Sequence, residues 1–322
     1  MRLVILANAS PSIGTGHVMR ALSVAEEFIA KGWEVEFAGT TNGVPWLSQY
    51  IQELVIKGSC KISTKLEIDN KRDVLLIDSY EISEKDPFIT KSRWKNVVAI
   101  VEDFTPSILA DIYIHPGPNC NWKPPANYFD FKYFMGTEFI SVRKSIRELG
   151  AVANSKSTTS PRLVIVGGGT DPYKFAPALV DFLSKTNLEF HASVFSSKID
   201  SFLGDARFNL FQPSSDLEHA IKMADVIFCT SGTMSWEMLS AELPIGIALA
   251  TGNQKLNFYY QETSHLAISI GEHKKDGEWN FKKVNIVNLI ADGNLRETLR
   301  RNAKKAHIGF GSKLIFDIVA NL

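Results

Sequence analysis

The chain has 322 residues, 45% of them apolar and 22% charged, and its 35 basic and 35 acidic side chains give a formal net charge of zero. That length suits two domains of ordinary size better than one core, and the charge balance argues against a nucleic acid as partner. No apolar stretch is long enough to span a bilayer, Met1-Arg2 leads into a strand pattern instead of a signal peptide, and Cys60, Cys120 and Cys229 are odd in number and lack metal-ligand spacing. A cytoplasmic protein without membrane insertion, bound metal or cofactor is expected, its cysteines serving as small buried hydrophobes.

Continuous apolar runs at residues 3–7, 34–38, 74–77, 97–101 and 112–114 predict strands covered on both faces. Between the first two, Val18, Ala21, Leu22, Ala25 and Phe28 recur at helical spacing, with Lys31-Gly32 as the stop. This is a βαβ unit, and the handedness of its crossover makes the sheet mainly parallel. The turn between strand and helix reads Gly14-Thr15-Gly16-His17-Val18-Met19-Arg20. Gly14 and Gly16 permit a tight turn and close backbone approach, so the helix can present its positive end to an anion. His17 falls in the first helical turn, where a neutral imidazole can take a proton from water. The alternative is a strand–turn–helix corner with a capping or buried histidine. Arg20, one turn on, answers a phosphate or carboxylate, or forms a structural ion pair.

Asp78-Ser79-Tyr80 ends the third run and Glu102-Asp103 the fourth. Both are read either as helix N-caps or as polar groups lining a ligand site, with capping favoured for Asp78. Residues 150–161 are small, polar and Ser/Thr-rich without periodicity, and predict a linker between a first domain, 1–150, and a second, 151–322.

After it the alternation restarts, with strands predicted at 163–166, 190–195, 209–211, 226–229 and 245–249. The first ends in Gly167-Gly168-Gly169-Thr170-Asp171-Pro172, which lacks the third glycine of a dinucleotide fingerprint and the lysine of a P-loop. Thr230-Ser231-Gly232-Thr233 precedes a helix at 234–241 bearing Glu237. Hydroxyls, a glycine and free amides at a helix N-terminus suit a diphosphate, and Glu237 can accept both hydroxyl hydrogens of a ribose. The competing reading is a Ser/Thr cap. Thr251-Gly252-Asn253-Gln254 ends the next strand, there to hold a sugar or a water or to cap the helix at 254–263. Helices at 294–305 and 313–320 close the chain, with a Gly309-Phe310-Gly311 break between them. The expected fold class is α/β, two Rossmann-like doubly wound parallel sheets facing across a cleft, with the polar clusters at strand carboxyl ends converging there.

Taken together, residues 13–20, Asp78-Ser79-Tyr80, residues 168–172, Ala224-Asp225-Val226-Ile227, residues 231–237, Leu243-Pro244 and Asn253-Gln254 resemble the UDP-sugar hydrolases of the pseudaminic acid pathway. More broadly they look like GT-B glycosyltransferases. The chain departs from the hydrolase pattern at Asn8-Ala9-Ser10-Pro11-Ser12, where an acidic and serine-rich run is usual, and at its Gly-Gly-Gly-Thr-Asp-Pro loop.

The resemblance implies a GT-B fold and metal-free, inverting release of UDP from a diacetamido-trideoxy or related amino sugar in surface polysaccharide synthesis. His17 would be the catalytic base, and Tyr80 and Asn253 would hold the sugar or the attacking water. Gly14, Gly16, Arg20, Gly169, Thr170, Ser231, Gly232, Thr233, Glu237 and Gln254 would bind substrate, with uracil near Phe211-Gln212. A small-molecule UDP-sugar is the implied partner, and the protein is expected to be a monomer or weak dimer. Two alternatives accompany this reading: a glycosyltransferase using the same donor, and a non-catalytic nucleotide-sugar binder.

Overall fold

Parallel strands buried on both faces organise each half of the chain. The computed structural model describes residues 1–58, 60–62, 67–83, 86–118, 121–150, 160–196, 204–213 and 217–322. They form two compact units, Met1–Arg143 with Gly309–Leu322, and Lys144–Ile308. Most of the predicted linker, residues 151–159, and Cys120 lie outside the described residues.

The first unit opens with β1 (Arg2–Ala7), α1 (Gly16–Ala30), β2 (Glu34–Phe37), α2 (Pro45–Ile56) and β3 (Lys61–Ile62). It continues with β4 (Asp73–Asp78), β5 (Asn96–Ile100), β6 (Ile112–Pro116) and β7 (Lys132–Gly136). The seven strands form one sheet in the order β3-β2-β1-β4-β5-β6-β7, parallel throughout. Strand alternation sorts the side chains into two cores. Leu3, Ile5, Val74, Leu76, Val98 and Ile100 pack with Val18, Leu22, Ala25 and Phe28 of α1. Val4, Leu75, Ile77, Val97, Ala99 and Val101 pack on the other face with Tyr113 and Trp122. The same period of two aims Asp78 and Glu102, each two residues past a residue of the first core, at the α1 side.

The second unit runs α3 (Lys144–Leu149), β8 (Arg162–Val166), α4 (Phe175–Ser184), β9 (His191–Phe195), β10 (Phe208–Phe211), α5 (Leu217–Met223), β11 (Val226–Thr230) and α6 (Thr233–Ser240). It ends with β12 (Ile245–Leu249), α7 (Lys255–Thr263), β13 (Ile268–His273), β14 (Trp279–Phe281), α8 (Lys283–Ala291) and α9 (Gly293–Ala306). Its sheet order, β10-β9-β8-β11-β12-β13-β14, repeats that of the first unit, and only β13–β14 is antiparallel. Leu163, Ile165, Phe228 and Ala248 pack against Phe175, Leu179 and Leu183 of α4 and Ile286 and Leu289 of α8.

The last helix, α10 (Gly311–Ala320), corrects the predicted domain limits: the chain returns to its first unit instead of ending in its second. Ile315 and Val319 join the core around Phe28, and the Phe316 ring lies edge-on to Phe28 at 5.0 Å. Gly311 makes the close approach possible, since a Cβ there would stand 2.1 Å from the Phe139 carbonyl oxygen. In both units the strand order reverses beside the first strand, between β1 and β4 and between β8 and β11. Such switch points leave a crevice outside the strand carboxyl ends. Among the described residues, no helix is long and apolar enough to cross a membrane.

Candidate active site

At the first switch point, β1 leads into a turn closed by the Gly14 amide, which donates to the Ser10 carbonyl at 2.8 Å. Gly14 has φ +85°, a left-handed conformation that a side chain would strain. α1 then starts at Gly16 with no side-chain cap from its N-cap residue, Thr15. Its first amides therefore point forward without a side-chain acceptor.

His17 and Arg20 lie one turn apart on α1 and share a face. That face meets Asp78, which is fully buried at the end of β4. Asp78 Oδ1 lies 2.7 Å from His17 Nδ1. Arg20 donates from Nε to Asp78 Oδ2 at 2.7 Å and from Nη2 to Oδ1 at 2.8 Å. Burial alone would raise the Asp78 carboxyl, but the Arg20 charge and hydrogen bonds, with His17, hold it below the usual range. An ionised carboxylate only accepts, so Nδ1 of His17 carries the proton and Nε2 is left as the basic nitrogen.

Arg20 reaches further, from Nη1 to Glu102 Oε1 at 2.5 Å, and Tyr80 donates its hydroxyl to Glu102 Oε2. Burial opposes the Glu102 charge, yet Arg20, His17 and the Tyr80 hydroxyl hold its pKa down at about 2. The Tyr80 ring stands edge-on to His17, with centroids 4.3 Å apart and planes at 80°. Two carboxylates against one guanidinium leave this cluster one negative charge, which an imidazolium at His17 would neutralise.

Of the predicted residues, His17, Arg20 and Tyr80 come together here. Arg20 serves as an ion-pair anchor, its guanidinium committed to two carboxylates of its own unit, so the reading of it as a substrate ligand gives way to one of positioning. Asp78 is the orienting carboxylate instead of a helix cap. Glu102 and Asp103 part company, because Asp103 Oδ1 accepts the Asn121 amide at 2.7 Å. Period-two alternation from Val98 through Ile100 to Glu102 was the available signal for the role of Glu102.

The second unit places two loops at the equivalent point. After β8, Gly168 takes φ +92°, and a Cβ on Gly167 would stand 2.2 Å from the Asp171 carboxyl carbon. Asp171 accepts the Phe175 amide at 2.8 Å and the Ala176 amide at 3.0 Å, so the first turn of α4 is closed by its own chain. A phosphate cannot use those amides. What this loop offers is the Thr170 hydroxyl, whose Oγ1 is buried without a hydrogen-bond partner among the described residues.

After β11 the situation is reversed. Gly232 is the N-cap of α6 and, among the described residues, no side chain caps the helix, against the Ser/Thr-cap reading. Ser231 is fully buried and its amide donates to the Ala248 carbonyl at 3.0 Å. The Ser235 hydroxyl folds back onto the Gly232 carbonyl at 2.8 Å. Thr233 opens the helix half-exposed, and Glu237, one turn on, is buried. Gln254 joins the two neighbouring loops: its Oε1 lies 3.3 Å from the Ala250 amide and 3.4 Å from the Ser231 hydroxyl. It therefore does not cap α7, and Asn253 beside it is exposed. Phe211 stacks on Phe195 at 5.2 Å, and its carbonyl accepts the Ser196 amide at 3.1 Å.

Cys60 and Cys229 are buried, and burial pushes their thiols up to about 11 and about 12, away from nucleophilic chemistry. Among the described residues, no group of three or more His, Cys, Asp or Glu side chains is placed to hold a metal ion.

Comparison with solved structures identifies the architecture. MurG of Acinetobacter baumannii superposes with a TM-score of 0.62 at 15% identity over 100% of both chains. UDP-GlcNAc 2-epimerase from Neisseria meningitidis bound to UDP-GlcNAc gives 0.64 at 12% identity, again over 100% of both chains. Arabidopsis thaliana UGT89C1 complexed with UDP gives 0.60 at 11% identity over 99% of each. The chain has the GT-B fold. In sequence it is similar to an uncharacterized protein of Methanocaldococcus jannaschii, 23% identical over 268 residues that cover 76% of this chain and 55% of that protein. The chain thus spans about half the length of this relative. No protein-family model matches it.

Proposed function

We propose that the protein hydrolyses a UDP-activated acetamido sugar, releasing UDP by attack of water at the anomeric carbon. The observation that carries this reading is the His17–Asp78 pair, which leaves Nε2 as a base inside a cluster of net negative charge. Two of the structural neighbours bear UDP or UDP-GlcNAc, which supports a UDP-sugar as substrate. The uncapped N-terminus of α6, with Ser231, Gly232 and Thr233, takes the diphosphate, and Glu237 takes the ribose. Thr170 and Gln254 complete the nucleotide side, while Tyr80 and Asn253 hold the sugar or the water.

In the chemical step the water oxygen bonds to the anomeric carbon while His17 Nε2 takes its proton. The bond from that carbon to the β-phosphate oxygen breaks, and UDP departs with the electron pair. Helix amides oppose the charge gathering on the leaving diphosphate. Asp78 and Glu102 stabilise the imidazolium, which then returns its proton to solvent. The free sugar emerges with inverted anomeric configuration.

Incubation with a panel of UDP-activated acetamido sugars and no acceptor tests this directly. UDP release that disappears in His17→Ala, while UDP still binds, is the expected result. In labelled water the label should enter the sugar, marking carbon–oxygen cleavage. No release from any donor would overturn hydrolysis; release that appears only when a carbohydrate or lipid-linked acceptor is added would make the protein a glycosyltransferase.

A further inference from the structure

Phe104 is a large apolar side chain left 59% exposed beside Tyr80. It follows Glu102-Asp103, and its ring lies edge-on to Tyr80 with centroids 6.4 Å apart, Tyr80 in turn standing against His17. The turn that carries it is firmly held. Thr105 N donates to the Glu102 carbonyl at 2.9 Å, and Glu102 N donates to Thr105 Oγ1 at 2.8 Å. Trp122 Nε1, from a buried indole, donates to the Thr105 carbonyl at 2.9 Å, and Asp103 is tied to the Asn121 amide. These bonds hold the backbone of the turn, and the Phe104 ring stands exposed against Tyr80 as an apolar surface. Exposing such a ring has a free-energy cost that a ligand recovers by covering it, and a side chain with two torsions on a held backbone loses little entropy on binding.

We infer that Phe104 is a specificity-determining residue, the wall on which the methyl of an acetamido group or the deoxy edge of the donor sugar packs. This rests on the UDP-sugar reading above. A fully hydroxylated sugar has polar groups where an acetamido sugar has a methyl, so covering the ring returns less to it. Tyr80 and Glu102 supply the polar side of the same subsite, and Phe104 the apolar side. The ring thus discriminates among donors without touching the proton transfer.

The test compares UDP release from UDP-N-acetylglucosamine, a UDP-diacetamido-trideoxy sugar and UDP-glucose by the wild type, Phe104→Ala and Phe104→Trp, with UDP affinity measured by calorimetry for each. Phe104→Ala should lower kcat/KM about tenfold on the acetamido donors, chiefly through KM, and change UDP-glucose by about twofold or less. UDP affinity should stay at the wild-type value, and Phe104→Trp should restore most of the loss. Equal losses on all donors, or no loss on any, would overturn this role while leaving hydrolysis intact. If the wild type releases UDP from none of the three, the hydrolase reading falls and the role of Phe104 falls with it.

Discussion

The two units share one strand order, a glycine turn at the same switch point and an uncapped helix beside it, yet they fill that point with opposite chemistry. In the first unit it holds His17, Arg20, Asp78 and Glu102, charges that satisfy one another. In the second, residues 167–170 and 231–233 carry only glycines and hydroxyls. The amino ends of the sheets show the contrary likeness. Arg2 pairs with Asp73 across β1 and β4, and Arg162 with Asp225 across β8 and β11. The units therefore agree where an ion pair only pins strands and differ at the switch points. A common fold sets where a site lies, and the side chains placed there decide what it does.

The largest expected break in this contrast is chemical. Asp78→Asn keeps the shape of the anchor but no longer demands a proton on His17 Nδ1, so the ring loses its orientation and its stabilising charge. A fall in kcat of about a thousand- to ten-thousand-fold is expected, by analogy with other histidine–carboxylate pairs. A rate within tenfold of wild type would show that Asp78 is structural only. On stability, Arg20→Ala strands a buried carboxylate and should cost about 3–5 kcal/mol in denaturant unfolding. Ser231→Ala, at the neutral point of the second unit, should cost about 1 kcal/mol and instead weaken UDP binding. Equal costs would erase the difference between the two points.

How much of this was legible in the sequence depended on burial. The runs at β1, β2, β4, β5, β6, β8, β9, β11 and β12 announce themselves because most of their residues are buried, whereas β10 is an edge strand read from its apolar residues although Asn209 and Leu210 are exposed. β7 does not, since Lys132, Tyr133 and Met135 are exposed on an edge strand and break the apolar run. β14, three residues long at the other sheet edge, is hidden for the same reason. In the site, the glycine–histidine turn is a local signal, and His17 was readable from it. The pairing of His17 with Asp78 spans 61 residues and needs the β1–β4 adjacency, which no local pattern reports. The C-terminal helix was misplaced because its amphipathic pattern shows that it packs, without showing on which unit.

Acid offers a gentler test. Asp78 and Glu102 both have folded pKa values below those of free carboxyls, so the stability they contribute is complete above about pH 4.5. It drains away as the pH falls through that point toward about 2, where Glu102 titrates in the fold. Amide exchange in α1 should therefore accelerate on acidification before exchange in α6, whose switch point holds no such carboxylate pair. Glu102→Gln should flatten the acid dependence of α1. Simultaneous loss of protection in both helices would place the acid-labile contacts elsewhere.

The smallest effect is the most discriminating for the second unit, because its two parts have opposite signs. The Thr170 Oγ1 is buried without a partner among the described residues, a state that costs about 1–3 kcal/mol in a free protein. Thr170→Val removes the hydroxyl at nearly constant shape, so the unliganded protein should be unchanged or more stable. If the diphosphate is what completes that hydroxyl, the same substitution should weaken UDP binding several-fold. Asp171→Asn, next along the chain, should do the reverse: it loosens the start of α4 by about 1 kcal/mol while UDP affinity holds, because the amides it caps were never offered to the ligand. Calorimetric titration of UDP into both variants, with thermal unfolding alongside, reads all four quantities. Loss of affinity in Asp171→Asn but not in Thr170→Val would mean that the first loop acts through the charge of its cap, and the diphosphate would then have to be shared between α4 and α6.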